Sequence, residues 1–197
     1  MKTATRLPAA ERRLELVETA VRVFSEGSYR GTTTAEIARA AGVSEPILYR
    51  HFASKRDLYF AVLDHVWAKG RSAWEESIAD APDVRAGLEE MGRRPAGPRD
   101  CKHQLAELWV QALSEATEDE ELRKYVRKHM QAVHEFFAGV IRQGQAEGVF
   151  RLDLDVEAEA WLFLSGSMLG LVGRRVGLLG PDEVQRVRAA RIKSLSV

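Results

Sequence analysis

Between Thr33 and Lys55 the chain sets out Thr33, Thr34, Ser44, Glu45, Pro46, Ile47, Tyr49, Arg50, His51 and Lys55, a dense run of hydrogen-bond donors with one acid among them. The hydroxyls, the imidazole and the ammonium can donate to phosphate oxygens, contacts that set orientation and affinity but carry no sequence information directly. Glutamate can accept from cytosine N4, arginine can bridge guanine O6 and N7, and an apolar side chain can touch the thymine methyl. Glu45, Pro46, Ile47 and Arg50 are therefore the candidate base readers. The chemistry on offer is recognition of double-stranded DNA. Catalysis has no comparable support: no Ser-His-Asp or Cys-His pairing is recognisable by spacing, and there is no phosphate loop. Cys101-Lys102-His103 with Glu107 lacks the paired ligand spacing of a metal box, so no metal and no cofactor are expected.

These residues need two short helices to hold them. Thr33 and Glu36 have the spacing of a capping box, in which each side chain takes a backbone N–H of the other residue. The helix they open presents Ile37, Ala38 and Ala41 inward and ends at Gly42, where the chain leaves in a left-handed conformation that glycine adopts without steric cost. Ser44 then caps a second helix. Pro46 lies in its first turn, where a missing N–H costs little. Ile47 and Leu48 supply its packing side, and Glu45, Pro46, Tyr49, Arg50 and His51 fall on the outer surface or the tip. Two such helices around a tight turn form a helix-turn-helix, whose second helix enters the major groove N-terminus first.

From about Leu14 to Leu63 the chain resembles the DNA-binding domain of TetR-type bacterial transcriptional regulators. The resemblance rests on an apolar first helix ending at Phe24, then Gly31-Thr32-Thr33, Ile37-Ala38, Ala41-Gly42-Val43-Ser44, Leu48-Tyr49, His51-Phe52 and Ser54-Lys55. Two positions differ from the family pattern. Ser28 stands where a glycine usually precedes the first-loop aromatic, and Glu45-Pro46-Ile47 replaces the small or basic residues common at the start of the recognition helix. The resemblance implies a homodimer formed through a four-helix bundle of the last two helices, about Val156 to Val176 and Pro181 to Leu195. It also implies a repressor released from a palindromic operator by a small molecule in the C-terminal domain.

Formal net charge is zero, but residues 1–56 hold ten Lys and Arg against six Asp and Glu, and the remainder holds 19 against 23. A basic head on an acidic body suits a protein of which one end meets phosphates. A lone cysteine, no signal-like N-terminal run and no long uncharged apolar stretch lead us to expect a cytoplasmic chain with no membrane span.

Periodicity beyond the head is helical throughout, so the expected fold is all-α, with about nine helices. An N-terminal three-helix DNA-binding domain, residues 1–54, precedes a C-terminal helical domain for effector binding and dimerisation, residues 55–197. Ser54 with Asp57 opens a long fourth helix, residues 80–100 read mostly as loop, Thr117 with Glu120 opens the seventh helix, Asp155 the eighth and Gly180-Pro181 the ninth.

Val62 and Val66 on the fourth helix, Leu105 and Trp109 on the sixth, and Met130, His134 and Phe137 on the seventh are candidates to line an effector cavity, with Trp161 and Met168 of the eighth. Such stripes serve equally as plain core, and a histidine among them as a satisfied polar group. An effector held there is expected to be apolar or aromatic. Gly166, Gly170 and Gly173 form a small-residue stripe suited either to a dimer contact or to a neighbouring helix of the same chain. A body that responds to a protein partner, or to no effector, is the alternative; solid packing in place of a cavity would favour it. If the head docks as described, Lys55→Ala lowers affinity about equally on all DNA sequences and reduces the salt slope of binding by about one, measurable by titration at several salt concentrations.

Overall fold

The capping signals become helix ends in the computed structural model, which describes residues 8–93 and 99–197, apart from the side chains of residues 92, 93, 99–106 and 174. Among the described residues there are nine helices and no strands: α1 (Ala9–Glu26), α2 (Thr34–Ala40), α3 (Glu45–Tyr49), α4 (Lys55–Ala79), α5 (Val84–Arg93), α6 (Arg99–Glu115), α7 (Glu120–Ala146), α8 (Val156–Arg175) and α9 (Pro181–Leu195). The Asp57 amide donates to Ser54 Oγ at 3.1 Å and the Ala53 amide to the Asp57 carboxylate at 2.9 Å, closing the start of α4. Asp155 takes the amides of Glu157 and Ala158, and Glu183 reaches back to the Gly180 amide ahead of Pro181.

Two expected caps differ. Thr117 does not open α7; its hydroxyl turns back to the Ser114 carbonyl at 2.8 Å, because residues 116–118 are still the turn that ends α6. Asp119 caps instead, accepting from the amides of Glu121 and Leu122. Ser44 occupies the N-cap position of α3, but its side chain makes no cap bond. Pro46 removes one donor, and the Ile47 amide takes the Ser44 carbonyl at 2.9 Å, so the hydroxyl is left over.

The chain divides into two compact units. The first gathers α1, α2, α3, α4 as far as Lys69, α6 and the start of α7. Its core includes Leu16, Val17, Ala20, Val21 and Phe24 of α1, with Ile37, Leu48, Phe52, Leu58 and Tyr59. Val21 is buried where the periodicity points to Val23; both flank the apolar stripe of α1, and packing covers one flank more fully than the other. The Tyr59 hydroxyl donates to the Leu108 carbonyl of α6 at 3.1 Å, and burial raises the pKa of that phenol.

The second unit gathers the rest of α4, α5, most of α7, α8 and α9. Val84 and Leu88, Phe137 and Ile141, Phe150, Ala160, and Ile192 with Leu195 form one core cluster. Phe137 stacks on Phe163 with centroids 5.2 Å apart, and Trp74 packs at 5.5 Å from Phe137. The turn after α7 is fixed by Gly148 at φ +73°, beyond which Phe150 folds back over Gly144. A Cβ built on Gly144 would lie 2.1 Å from the Phe150 ring. The Arg151 amide then donates to the Leu195 carbonyl at 2.9 Å, tying this turn to the end of α9.

Two outcomes follow from this core. Gly144→Ala, which by helix propensity alone would stabilise α7, is expected to destabilise by about 1–3 kcal/mol because the buried Phe150 ring has nowhere to go; urea unfolding reads this directly. His129 is buried on α7, and desolvation pushes its pKa down to about 4. The unfolded chain takes up a proton near pH 6.5 that the folded chain refuses until about pH 4, so stability falls as pH drops through that window. The melting temperature of His129→Gln should fall less steeply between pH 6.5 and 4 than that of the unaltered protein.

Candidate nucleic-acid interface

The helix-turn-helix is built from local bonds. Thr33 Oγ1 accepts from the Glu36 amide at 3.2 Å and the Thr33 amide donates to Glu36 Oε2 at 2.7 Å, so both halves of the capping box are present. The Thr33 hydroxyl also donates to Glu36 Oε2 at 3.0 Å, which commits its proton inside the box. Gly42 turns the chain at φ +67°, and the Val43 amide closes on the Ala38 carbonyl at 3.0 Å. Ile37, Ala38 and Leu48 form the buried seam between α2 and α3.

On α3 the inward position belongs to Leu48 alone. Ile47 is 37% exposed and not on the packing side: successive helical residues lie about 100° apart, and the face of α3 that is buried is centred on Leu48. Ile47 thus joins Pro46, Tyr49 and Arg50 on the outer surface, beside the half-buried Glu45 and His51. Thr34, expected among the outward donors, is 8% exposed. Its hydroxyl donates to the Glu45 carboxylate and lies 3.1 Å from the Tyr49 hydroxyl. Ser44 stays exposed at the helix N-terminus, its hydroxyl unused by the cap.

Lys55 is held at the edge of this surface. Its ammonium sits 4.7 Å from the centroid of the Tyr29 ring and donates to the Arg30 carbonyl at 3.3 Å; burial lowers its pKa, opposed by Glu115 and Glu36. Behind it the α1–α2 loop is clamped to α6 and the turn that follows. Arg30 Nε donates to Glu115 at 2.7 Å and its other arm pairs with Glu118, while Arg56 reaches Asp119 at 3.3 Å. Gln111 of α6 donates to the carbonyls of Phe24 and Gly27 at 3.0 and 3.2 Å, closing off the end of α1. Nothing local in the sequence marks these pairs, which join residues 63 to 88 positions apart.

The nine candidate effector-lining residues are divided. Val62, Val66 and Trp109 belong to the first unit, the two valines fully inside it; Met130, His134, Phe137, Trp161 and Met168 belong to the second; the Leu105 side chain lies outside the described residues, as do those of Cys101 and His103. His134 is tied to the start of α8: its Nε2 is 3.0 Å from the Glu157 carbonyl and its ring packs 4.3 Å from Trp161. Of the eight whose side chains are described, Phe137 alone lines the small cavity of about 50 Å³ that lies between α5, α7, α8 and α9. Leu88 and Met91 of α5, and Arg191 of α9, line it too. Residues 80–100 read mostly as loop, which hid the α5 pair, and the weak apolar periodicity of α9 concealed Arg191. That guanidinium pairs with Glu159 of α8, and burial lowers its pKa. A wider, open groove of about 650 Å³ is lined by Glu75, Asp83, Glu135 and Glu147 among apolar residues of α4, α7 and the turn before α5.

The small-residue stripe of α8 is not a free surface. A Cβ on Gly170 would meet Val184 at 3.3 Å and one on Gly173 would meet Leu179 at 2.7 Å, so both glycines accommodate the same chain's α9 and the turn before it. Gly166 lines the small cavity. What α8 leaves uncovered is an apolar face: Trp161, Leu162, Leu169, Val172 and Val176 are 47–67% exposed. Trp161 is therefore an outward residue, not a lining one. Among the described residues, no helix is long and apolar enough to cross a membrane.

Residues 16–62 match the model of the bacterial regulatory proteins of the tetR family, and residues 84–195 match that of the C-terminal region of BetI-type transcriptional repressors. The HTH-type transcriptional repressor KstR2 of Rhodococcus jostii is 31% identical over 150 residues, which cover 74% of this chain and 71% of that protein. The HTH-type transcriptional activator FasR of Mycolicibacterium smegmatis is 39% identical over 92 residues, 45% of this chain and 42% of that one. A crystal structure of a TetR-family transcriptional regulator from Rhodococcus sp. shares the fold, with a TM-score of 0.83 at 19% identity over 95% of this chain and 100% of that one. With both its head and its body matched, and with the capped, glycine-turned helix pair in place to present α3, this chain belongs to the TetR family and is a sequence-specific DNA-binding transcriptional regulator.

Proposed function

We propose that the protein represses transcription as a homodimer on a palindromic operator and leaves it when a small molecule binds the C-terminal domain. The observation that carries the dimer is the uncovered apolar face of α8. Five large apolar side chains from Trp161 to Val176 stand 47–67% exposed along α8 and the residue after it, an arrangement that a monomer in water rarely keeps. A second copy paired through α8 and α9 would cover them. The two copies of α3 then read successive major grooves, about 34–36 Å apart or somewhat more in a wide dimer. Residues 1–54 serve as the reading head and residues 55–197 as the body that pairs and senses.

Within the head, Pro46 and Ile47 on α3 and Arg50 at its C-cap are exposed and available to base edges, with Glu45 beside them. Ser44, His51 and Lys55 flank them as phosphate donors. The name of the KstR2 relative, a repressor matched over head and body together, supports repression; the activator shares chiefly a shorter stretch.

Release is assigned to the cavity among α5, α7, α8 and α9. Leu162 and Val187 both line it and are exposed on the outside, so a ligand that widened it would move the helices carrying the dimer face. The separation of the two heads would change, operator affinity would fall, and DNA would weaken ligand binding by the same factor. The chemistry of the lining, Phe137, Phe163, Leu88 and Met91, selects an apolar or aromatic effector. One observation favours the second reading, a body that answers to a protein or to nothing: at about 50 Å³ the cavity holds little more than a water molecule or two before it opens.

The test starts with Leu169→Glu and Val172→Glu, which put unpaired charges in the proposed interface. Both variants should sediment as monomers and lose at least about a hundredfold in affinity for the operator found by selection from random DNA, while each keeps its helical circular dichroism. A dimer that persists in both would overturn the α8 interface. A screen of apolar metabolites against the unaltered dimer separates the two release readings: a compound that binds and lowers operator affinity supports the effector, and one that saturates the body without changing operator affinity supports the alternative.

A further inference from the structure

Thr34 opens α2, yet its side chain faces α3. It is 8% exposed, and its hydroxyl joins two residues of the recognition helix, Glu45 and Tyr49, which lie 11 and 15 positions further on. The proton inventory of this group is fixed by chemistry. An ionised carboxylate only accepts, and a threonine hydroxyl carries one proton. Thr34 therefore gives its proton to Glu45 Oε1 and must accept at its own oxygen, so the Tyr49 hydroxyl, 3.1 Å away, is the donor. The bonds run in one direction: Tyr49 to Thr34 to Glu45.

Two consequences follow. While the run of bonds is intact, neither Thr34 nor Tyr49 has a proton left for a phosphate oxygen, although residue type alone makes both look like phosphate anchors. Glu45, by contrast, is held through one carboxylate oxygen, Oε1, and stands half-buried beside the exposed Pro46 and Ile47. A free glutamate on a DNA-facing helix loses side-chain entropy when it finds a partner; one already fixed loses less. A fixed anion there is repelled by the backbone phosphates. It is satisfied only where a base offers an amine in the major groove, cytosine N4 or adenine N6.

We infer that Thr34 is a positioning residue for sequence reading: through its hydroxyl it sets the carboxylate of Glu45 to accept from an amine-bearing base, and it does not anchor phosphate. This rests on the DNA reading proposed above. The test uses the full-length protein, selection from random DNA, and titration of the selected operator and its single-position variants. Glu45→Ala should relax preference at one position of each half-site by about tenfold. Thr34→Val, close in shape but without the hydroxyl, should relax the same position to a similar extent, Thr34→Ser should retain the preference, and Thr34→Val with Glu45→Ala should be no worse than either alone. If Thr34→Val does not melt cooperatively, Thr34→Ala takes its place in the same comparison. The inference is overturned if the hydroxyl-free variant keeps every base preference, or if it loses affinity equally on all sequences, the mark of a phosphate contact. It is also overturned if Glu45→Ala leaves the preferences unchanged. Absence of any preferred site for the unaltered protein would instead sink the DNA reading itself.

Discussion

A recognition helix of five residues cannot hold itself together in water, and that constraint organises the whole first unit. Nucleating a helical turn costs more than one turn of hydrogen bonds returns, so α3 keeps its shape only through what it is packed and bonded to. Leu48 is its one fully buried side chain, set against the seam of α2. Gly42 fixes the angle of approach, and Thr34 ties both the first and the last residue of α3 to the start of α2. Everything exposed on α3 is thereby free to be chosen for what it reads instead of for how it folds.

The same economy explains why α6 and the turn after it belong to the unit that holds the head. The α1–α2 loop buries little apolar surface beyond the Tyr29 ring, and charge and hydrogen bonding tie it to α6 and the turn that follows: Arg30 to Glu115 and Glu118, and Gln111 to the carbonyls at the end of α1, while Arg56 ties α4 to Asp119. The Arg30 side chain is 61% exposed, so these pairs are screened by salt and reversible. The fully buried bond from Tyr59 to the Leu108 carbonyl is of the other kind, costly to leave unmade.

In the second unit the ordering is reversed. Aromatic stacking of Trp74, Phe137 and Phe163, with Phe150 folded over Gly144, makes a dense core that leaves little empty volume. The apolar surplus appears on the outside of α8. Glycines that permit close approach are used inward, toward Val184 and Leu179, so α9 lies tight against α8 and the outer row of Trp161, Leu169 and Val176 stays exposed.

The helices, most of their ends and the family of the head are legible in the sequence alone. Caps such as Thr33 with Glu36, Ser54 with Asp57 and Gly180 with Glu183 depend on atoms three or four residues apart, and the left-handed turn at Gly42 on one residue's lack of a Cβ, so composition and spacing suffice. Even locally there was a limit: Thr117 and Asp119 both suit a cap, and where α6 stops decided between them. Only the tertiary structure decided which way side chains face. Val21 against Val23, Ile47 against Leu48, and the inward glycines of α8 against the outward Trp161 are choices between faces of one helix, and the neighbour that settles each lies elsewhere in the chain. Thr34 shows the limit most clearly. Its type and place mark it as a donor to DNA, and only the fold, by bringing α3 against α2, gives its single proton to Glu45.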